Sequence, residues 1–173
     1  MVHGLARSIS RGVSQDSPIV KQTISVRDLA MTVDGASGVG FGTAVAGGLP
    51  AGNILLLGAV AYMQFTGPTS ASLNDAWEGD FAVGTTPAGD ATLTGADIDI
   101  IGSTAIAAAT AEASPRTRGV AVTATNGAVL DNTDGSLEVN LSLLVDDAHI
   151  GADGLAFTCN GEIYLSYVVL GDD

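Results

Sequence analysis

Few side chains in this 173-residue chain are equipped for chemistry. Nucleophilic catalysis needs a nucleophile, a base within reach and a group that orients the base. The chain holds one cysteine, Cys159, and two histidines, His3 and His149. Cys159–His149 is the obvious dyad. Yet Cys159 ends the run Ala-Phe-Thr-Cys, the ordinary setting of a buried, inert thiol. Phosphate binding needs a Gly-rich turn that opens a helix. Residues 35–42 read Gly-Ala-Ser-Gly-Val-Gly-Phe-Gly, with neither a dinucleotide fingerprint nor a Gly-Lys-Ser/Thr ending. On a strand, Gly38, Gly40 and Gly42 would share one face and leave a bare strip for close backbone packing.

Hard oxygen ligands gather in three places. Asp131, Asn132 and Asp134 share a turn, Asp146, Asp147, His149 and Asp153 surround a loop, and Asp97 and Asp99 lie two apart. Such sets suit Ca²⁺, but no calcium-binding loop is spelled out: Gly135 falls in the fifth place from Asp131, where that loop needs glycine in the sixth. Nineteen acids produce such clusters by chance, so solvated turns are the expected reading. No catalytic residue, metal site or cofactor is assigned, and the chain is not expected to be an enzyme.

The elements that must carry these residues are β-strands. Val, Ile and Thr number 42, whereas Lys, Arg, Glu and Gln together number 13, which favours pleated sheet over helix. Ile24 and Val26, then Leu29, Met31 and Val33, alternate with a slip of phase that predicts a bulge near Arg27–Leu29. Asp34-Gly35 reads as a turn. Asn53 to Thr66 is apolar in both phases and predicts a central strand covered on both sides. Asp90–Ile101 is a candidate strand, and Val120–Thr125 another. Ser103–Ala113 is the one plausible helix, with Ser114-Pro115 to end it. Leu137 to Val145 alternates as a half-buried strand, and Leu155–Cys159, Asn160-Gly161 and Glu162–Leu170 read as a closing hairpin. The predicted fold is all-β: an antiparallel, jelly-roll-like β-sandwich over residues 19–173, with at most one short Ala-rich helix and an N-terminal arm over residues 1–18.

Charge narrows the partners. A net charge of −13 opposes direct binding to nucleic acid or an anionic membrane, and no apolar run reaches the length of a membrane span. The N-terminus carries no apolar core of a signal peptide, and one cysteine allows no internal disulfide, so synthesis in a reducing cytoplasm is expected. Charged residues make up only 14%, against roughly 25% for an ordinary soluble domain. Interface cores are depleted in charge, so a surface this poor in charge is expected to lie against neighbouring subunits. Four of the six basic residues, Arg7, Arg11, Lys21 and Arg27, fall in the first thirty positions and are candidate contacts to acidic patches. Trp77, flanked by polar residues in Asp-Ala-Trp-Glu-Gly-Asp-Phe, joins them as a candidate interface residue. It would either cap a core edge or form a sugar platform.

Several phrases go together: Asp75–Pro87 (DAWEGDFAVGTTP), Asp99–Ile106 (DIIGSTAI), Leu130–Gly135 (LDNTDG) and the ending Leu170–Asp173 (LGDD). They resemble small virion proteins of tailed bacteriophages, of the capsid cement or decoration type, over approximately Val39 to Asp173. The resemblance brings no catalytic or ligand residues. It implies a β-rich module in many copies on the outside of a shell of major capsid protein, made in the host cytoplasm and bridging capsomers as a homodimer or homotrimer. A receptor- or carbohydrate-binding head-fibre or tail module is the rival expectation, and a calcium-dependent hydrolase a third.

Overall fold

Period-two alternation governs the structure as it governs the sequence. The computed structural model describes residues 19–36, 39–68, 73, 76–109, 113–121, 129–146, 150 and 154–171. Arg7 and Arg11, with the arm expected over residues 1–18, lie outside them. The strands are β1 (Ile19–Ala36), β2 (Val39–Gly48), β3 (Gly52–Thr66), β4 (Glu78–Gly84), β5 (Ile101–Ile106), β6 (Thr117–Ala121), β7 (Val129–Asn132), β8 (Glu138–Asp146) and β9 (Leu155–Gly171). All pair antiparallel, in the order β5-β4-β8-β2-β1-β9-β3-β6, with β7 beside β3.

The order divides into two halves, β5-β4-β8-β2 and β1-β9-β3-β6. Only four residue pairs, Val33↔Gly42 to Ala36↔Val39, join β1 to β2. At the far side β5 meets β6 through side chains: a Cβ on Gly119 of β6 would lie 2.9 Å from Ile101 and 3.0 Å from Phe81. The inner faces of both halves share one core. Phe65 of β3 packs on Phe81 of β4 at 5.7 Å between ring centroids, and Ile24 of β1 fills the space left by Gly47 of β2. The result is a nearly closed, jelly-roll-like sandwich.

The phase slip in β1 is a bulge. Its pairing to β9 shifts between Val26 and Leu29, Asp28 takes φ 47°, and the Asn160 side chain accepts the Asp28 amide at 2.9 Å. Gly40 and Gly42 form the expected bare strip; a Cβ on Gly42 would stand 2.5 Å from the Thr32 carbonyl oxygen. Gly38 lies outside the described residues.

Five expectations are corrected. Asp34 and Gly35 are not a turn but continue β1, opposite Phe41 and Gly40, so the reversal falls beyond Ala36. Asn160-Gly161 is not a hairpin, because β9 runs through it as one strand between β1 and β3. A Cβ on Gly161 would sit 2.0 Å from the Tyr62 carbonyl oxygen, so this glycine serves close strand approach. Ser103–Ala113 contains no helix among its described residues. Residues 101–106 pair with β4 because the β-branched Ile101, Thr104 and Ile106 suit a sheet, and alanine alone offers no apolar face for a helix to bury. Ser114 bonds to β3 instead: its amide donates to the Phe65 carbonyl oxygen and its hydroxyl accepts the Phe65 amide. Of the strand expected over Asp90–Ile101 only Ile101 is in one, as the start of β5, the rest being irregular with one 3-10 turn (Gly95–Asp97), and the strand expected at Val120–Thr125 starts earlier, at Thr117. In β8, Asn140 and Ser142 are buried as well as the alternate apolar residues. The segment after β4 crosses that face, where the Asn140 amide donates to the Thr85 carbonyl oxygen and the Ala88 amide to the Ser142 hydroxyl.

Candidate assembly face

Cys159, Asn132, Asp131, Asp134 and Asp99, singled out for chemistry, are built into the scaffold. Cys159 is fully buried in β9 between β1 and β3, and desolvation pushes its thiol up to about 12, so it holds its proton near neutral pH. His3 and His149 lie outside the described residues. Asn132 is also fully buried. Its amide nitrogen donates to the carbonyl oxygens of Leu49 (3.2 Å) and Pro50 (2.7 Å), and its oxygen accepts the Leu137 amide (2.7 Å). It ties the β2–β3 connection to the β7–β8 turn. Asp131 and Asp134 each accept the amide and hydroxyl of the residue two ahead, Thr133 and Ser136. Those bonds hold the Asp134 carboxyl below its usual range.

Asp99 accepts the Thr85 amide at 2.8 Å and the Thr85 hydroxyl at 2.6 Å; burial nevertheless raises its carboxyl above the usual value. Asp146 ends β8, while Asp147 and Asp153 lie outside the described residues. Among the described residues no three of His, Cys, Asp or Glu are grouped to hold a metal ion.

Trp77 is a correction: it is not an interface residue or an exposed platform. It is 1% exposed and packs edge-on against Phe157, 5.4 Å between centroids. An indole this large is worth more inside a small core than its polar neighbours in sequence suggest.

What the fold leaves open is the outer face of β1-β9-β3-β6. In β3, Ile54 and Leu56, then Ala59, Ala61, Met63 and Phe65, point inward, with the change of phase at a register shift between Leu56 and Gly58. The alternate residues Leu55, Leu57, Val60 and Tyr62 point outward and are only partly covered. The expectation of a strand covered on both sides therefore fails: no second layer among the described residues lies over them.

Register extends this row sideways. Val60 faces Tyr164 of β9 and Val120 of β6; Leu55 faces Val168 of β9 and Val129 of β7. Val120, Val129 and Tyr164 are 45%, 49% and 40% exposed. Tyr62 and Tyr164 meet edge-on at 6.5 Å, and the Arg118 guanidinium lies 5.6 Å over the Tyr62 ring. The Tyr164 hydroxyl donates to Glu162, which raises its own pKa.

The described cations are confined to one half, which also carries Asp28 and Asp34 on β1, Asp131 on β7 and Glu162 on β9. Every Lys and Arg among the described residues belongs to the β1-β9-β3-β6 half: Lys21 and Arg27 on β1, Arg118 on β6, and Arg116 just before it, all exposed. Lys21 and Arg27 were legible as interface candidates. Tyr164, in apolar alternation, read as core or interface; Arg116, Arg118 and Tyr62 were not singled out, although the apolar phase of β3 that covers nothing was the signal for Tyr62. The opposite half carries Glu78, Asp80, Glu138 and Asp146 on its strands and Asp90, Asp97 and Asp99 in the β4–β5 connection, with no described cation.

No protein-family model matches this chain, and no curated protein does. Among solved structures it is similar to one of infectious bursal disease virus, Gx strain, with a TM-score of 0.37 and 12% identity, over 92% of this chain and 35% of that one. The chain thus spans about a third of the length of that structure's chain.

Proposed function

We propose that this protein is a non-enzymatic structural component of a virion, and within that class a cement or decoration protein bound to the outside of a tailed-phage capsid. The observation that carries the reading is the open sheet face, where aliphatic and tyrosine side chains stand exposed together with all the described cations. A lone soluble protein rarely leaves such a patch unpartnered. The sequence phrases resembling phage decoration proteins add to it, although Trp77, Phe81, Ala82 and Val83 of Asp75–Pro87 are core residues. The partners proposed are the major capsid protein and further copies of this chain, assembled after synthesis in the host cytoplasm. Repetition over a symmetric shell makes weak single contacts sufficient. The rival receptor- or carbohydrate-binding reading loses its aromatic platform with the burial of Trp77.

The test adds purified protein to shells lacking it. Expected are co-sedimentation at a fixed ratio to capsid subunits and a higher temperature of shell rupture. Val120→Asp, at an exposed site on the open face, is expected to weaken binding on the order of tenfold or more while the isolated protein stays folded. Failure of the wild-type protein to sediment with shells would overturn the reading.

A further inference from the structure

We propose that the open β1-β9-β3-β6 face of one copy seats on the acidic outer face of β4, β5 and β8 of a second copy, head to tail. This rests on the assembly-face reading above and names the occupant of that face. Charge makes the choice. The four described cations, Lys21, Arg27, Arg116 and Arg118, all stand on the open half, where Asp28, Asp34, Asp131 and Glu162 accompany them, whereas the other half carries carboxylates alone, so only a contact between unlike halves brings cations to those carboxylates.

The opposite half offers the complement. Glu78 of β4 pairs directly across from Asp146 of β8, and Asp80 follows two residues on. Like charges facing across a strand pair repel, and no described cation of that half relieves them. These three residues line an open cleft of about 220 Å³ together with Gly79, Ala105, Ile106 and Leu144. The backbone is bare at Gly79, where a Cβ would collide with the Leu144 carbonyl.

A cleft lined by carboxylates and small apolar side chains fits what the open face presents, the Arg118 guanidinium held over the Tyr62 ring. Arginine suits such a site because its planar fork bonds a carboxylate through two parallel N–H groups while its flat faces stay apolar. The contact uses two different surfaces, so each copy keeps one of each free for the next. Such an association closes into a ring or continues as a chain.

Sedimentation equilibrium of the full-length protein provides the test, with two charge-reversed variants: Arg116→Glu with Arg118→Glu, and Glu78→Arg with Asp146→Arg. Each variant alone is expected to self-associate more weakly than wild type, on the order of tenfold or more. An equimolar mixture is expected to form a 1:1 heterodimer with the wild-type contact strength, because the unaltered acidic face of one variant meets the unaltered open face of the other, and neither variant alone forms it. Circular dichroism and melting of each variant confirm folding, and Glu78→Gln with Asp146→Asn replaces the reversed acidic pair if that pair does not fold.

A wild-type chain that stays monomeric overturns the proposal. So does an acidic-face variant that still associates like wild type, which would mean that two open faces meet. Dissociation caused by Arg7→Glu with Arg11→Glu, in place of the Arg116 and Arg118 changes, would give the acidic cleft to the N-terminal segment and also overturn it. Shell co-sedimentation is scored separately. A monomer that binds shells removes this proposal alone, and a head-to-tail oligomer that ignores shells removes only the virion reading.

Discussion

At the scale of single residues, Asp99, Asp131, Asn132 and Asp134, which resemble parts of a ligand set, are fasteners. Asp99 shows this in its titration. Burial raises its carboxyl above the ordinary 3.8 although Thr85 supplies two hydrogen bonds that favour the ionised form. Between 3.8 and the raised value the folded chain keeps a proton that the unfolded chain has lost. Stability contributed by Asp99 therefore falls as pH rises through that window and does not return above it. In Asp99→Asn this loss disappears, because the amide carries no charge to desolvate and its oxygen still accepts the Thr85 amide. Denaturant melts of both proteins over a pH series are expected to show the variant gaining on wild type as pH climbs from below 3.8, then holding a constant lead. Equal spacing of the two curves at every pH would show that burial of this carboxylate has no energetic consequence. Asp99→Ala, which strands the Thr85 amide, is expected to cost about 1–3 kcal/mol at any pH.

At the scale of strands, alternation was legible wherever burial enforces it, and turn signals misled wherever a glycine answers a different need. The β1 bulge could be read because Val26 and Met31 must both reach the same core, which fixes the phase on either side of the slip. Asn160-Gly161 could not, because the pair that makes a tight turn also suits a crowded point inside a long strand. There Asn160 bonds the bulged amide of Asp28 and Gly161 lets β3 and β9 approach. Asn53 to Thr66 read correctly as a strand and wrongly as covered on both sides, since an apolar phase shows that a face wants cover without saying whether this chain supplies it. Trp77 was misplaced for a related reason: its sequence neighbours are polar, while its spatial neighbour is Phe157. Replacing Gly161 separates the two glycine readings. Gly161→Ala drives a methyl into the Tyr62 carbonyl oxygen and close to the Met63 sulfur, and is expected to cost about 1–3 kcal/mol or more. Gly89→Ala, where a Cβ meets nothing within 4 Å, is expected to be nearly neutral. Chemical denaturation of both proteins checks this, and equal stability would return Gly161 to an ordinary loop role.

At the scale of the whole molecule, segregated charge ties stability to assembly. One half of the sandwich gathers every described cation, and the other holds carboxylates alone, with Glu78 facing Asp146 across two strands. In an isolated copy those carboxylates repel one another, and the packed core between the halves must hold against that repulsion. Docking the cation-bearing face of a second copy over them would relieve the repulsion, so the charge pattern that weakens one copy favours several. Added salt screens the same repulsion without any partner. In dilute, monomeric protein, raising the salt from low to moderate concentration is therefore expected to raise the melting temperature by roughly 2–4 °C, the shift that about 1 kcal/mol produces in a domain of this size. Glu78→Gln is expected to yield part of that gain at low salt and none at high salt, because it removes one of the charges that salt would otherwise screen. Calorimetry of wild type and variant at both salt levels checks the pair of effects. A melting temperature indifferent to salt, or a variant gain that survives screening, would mean that the acidic half carries no electrostatic load and has nothing for a second copy to relieve.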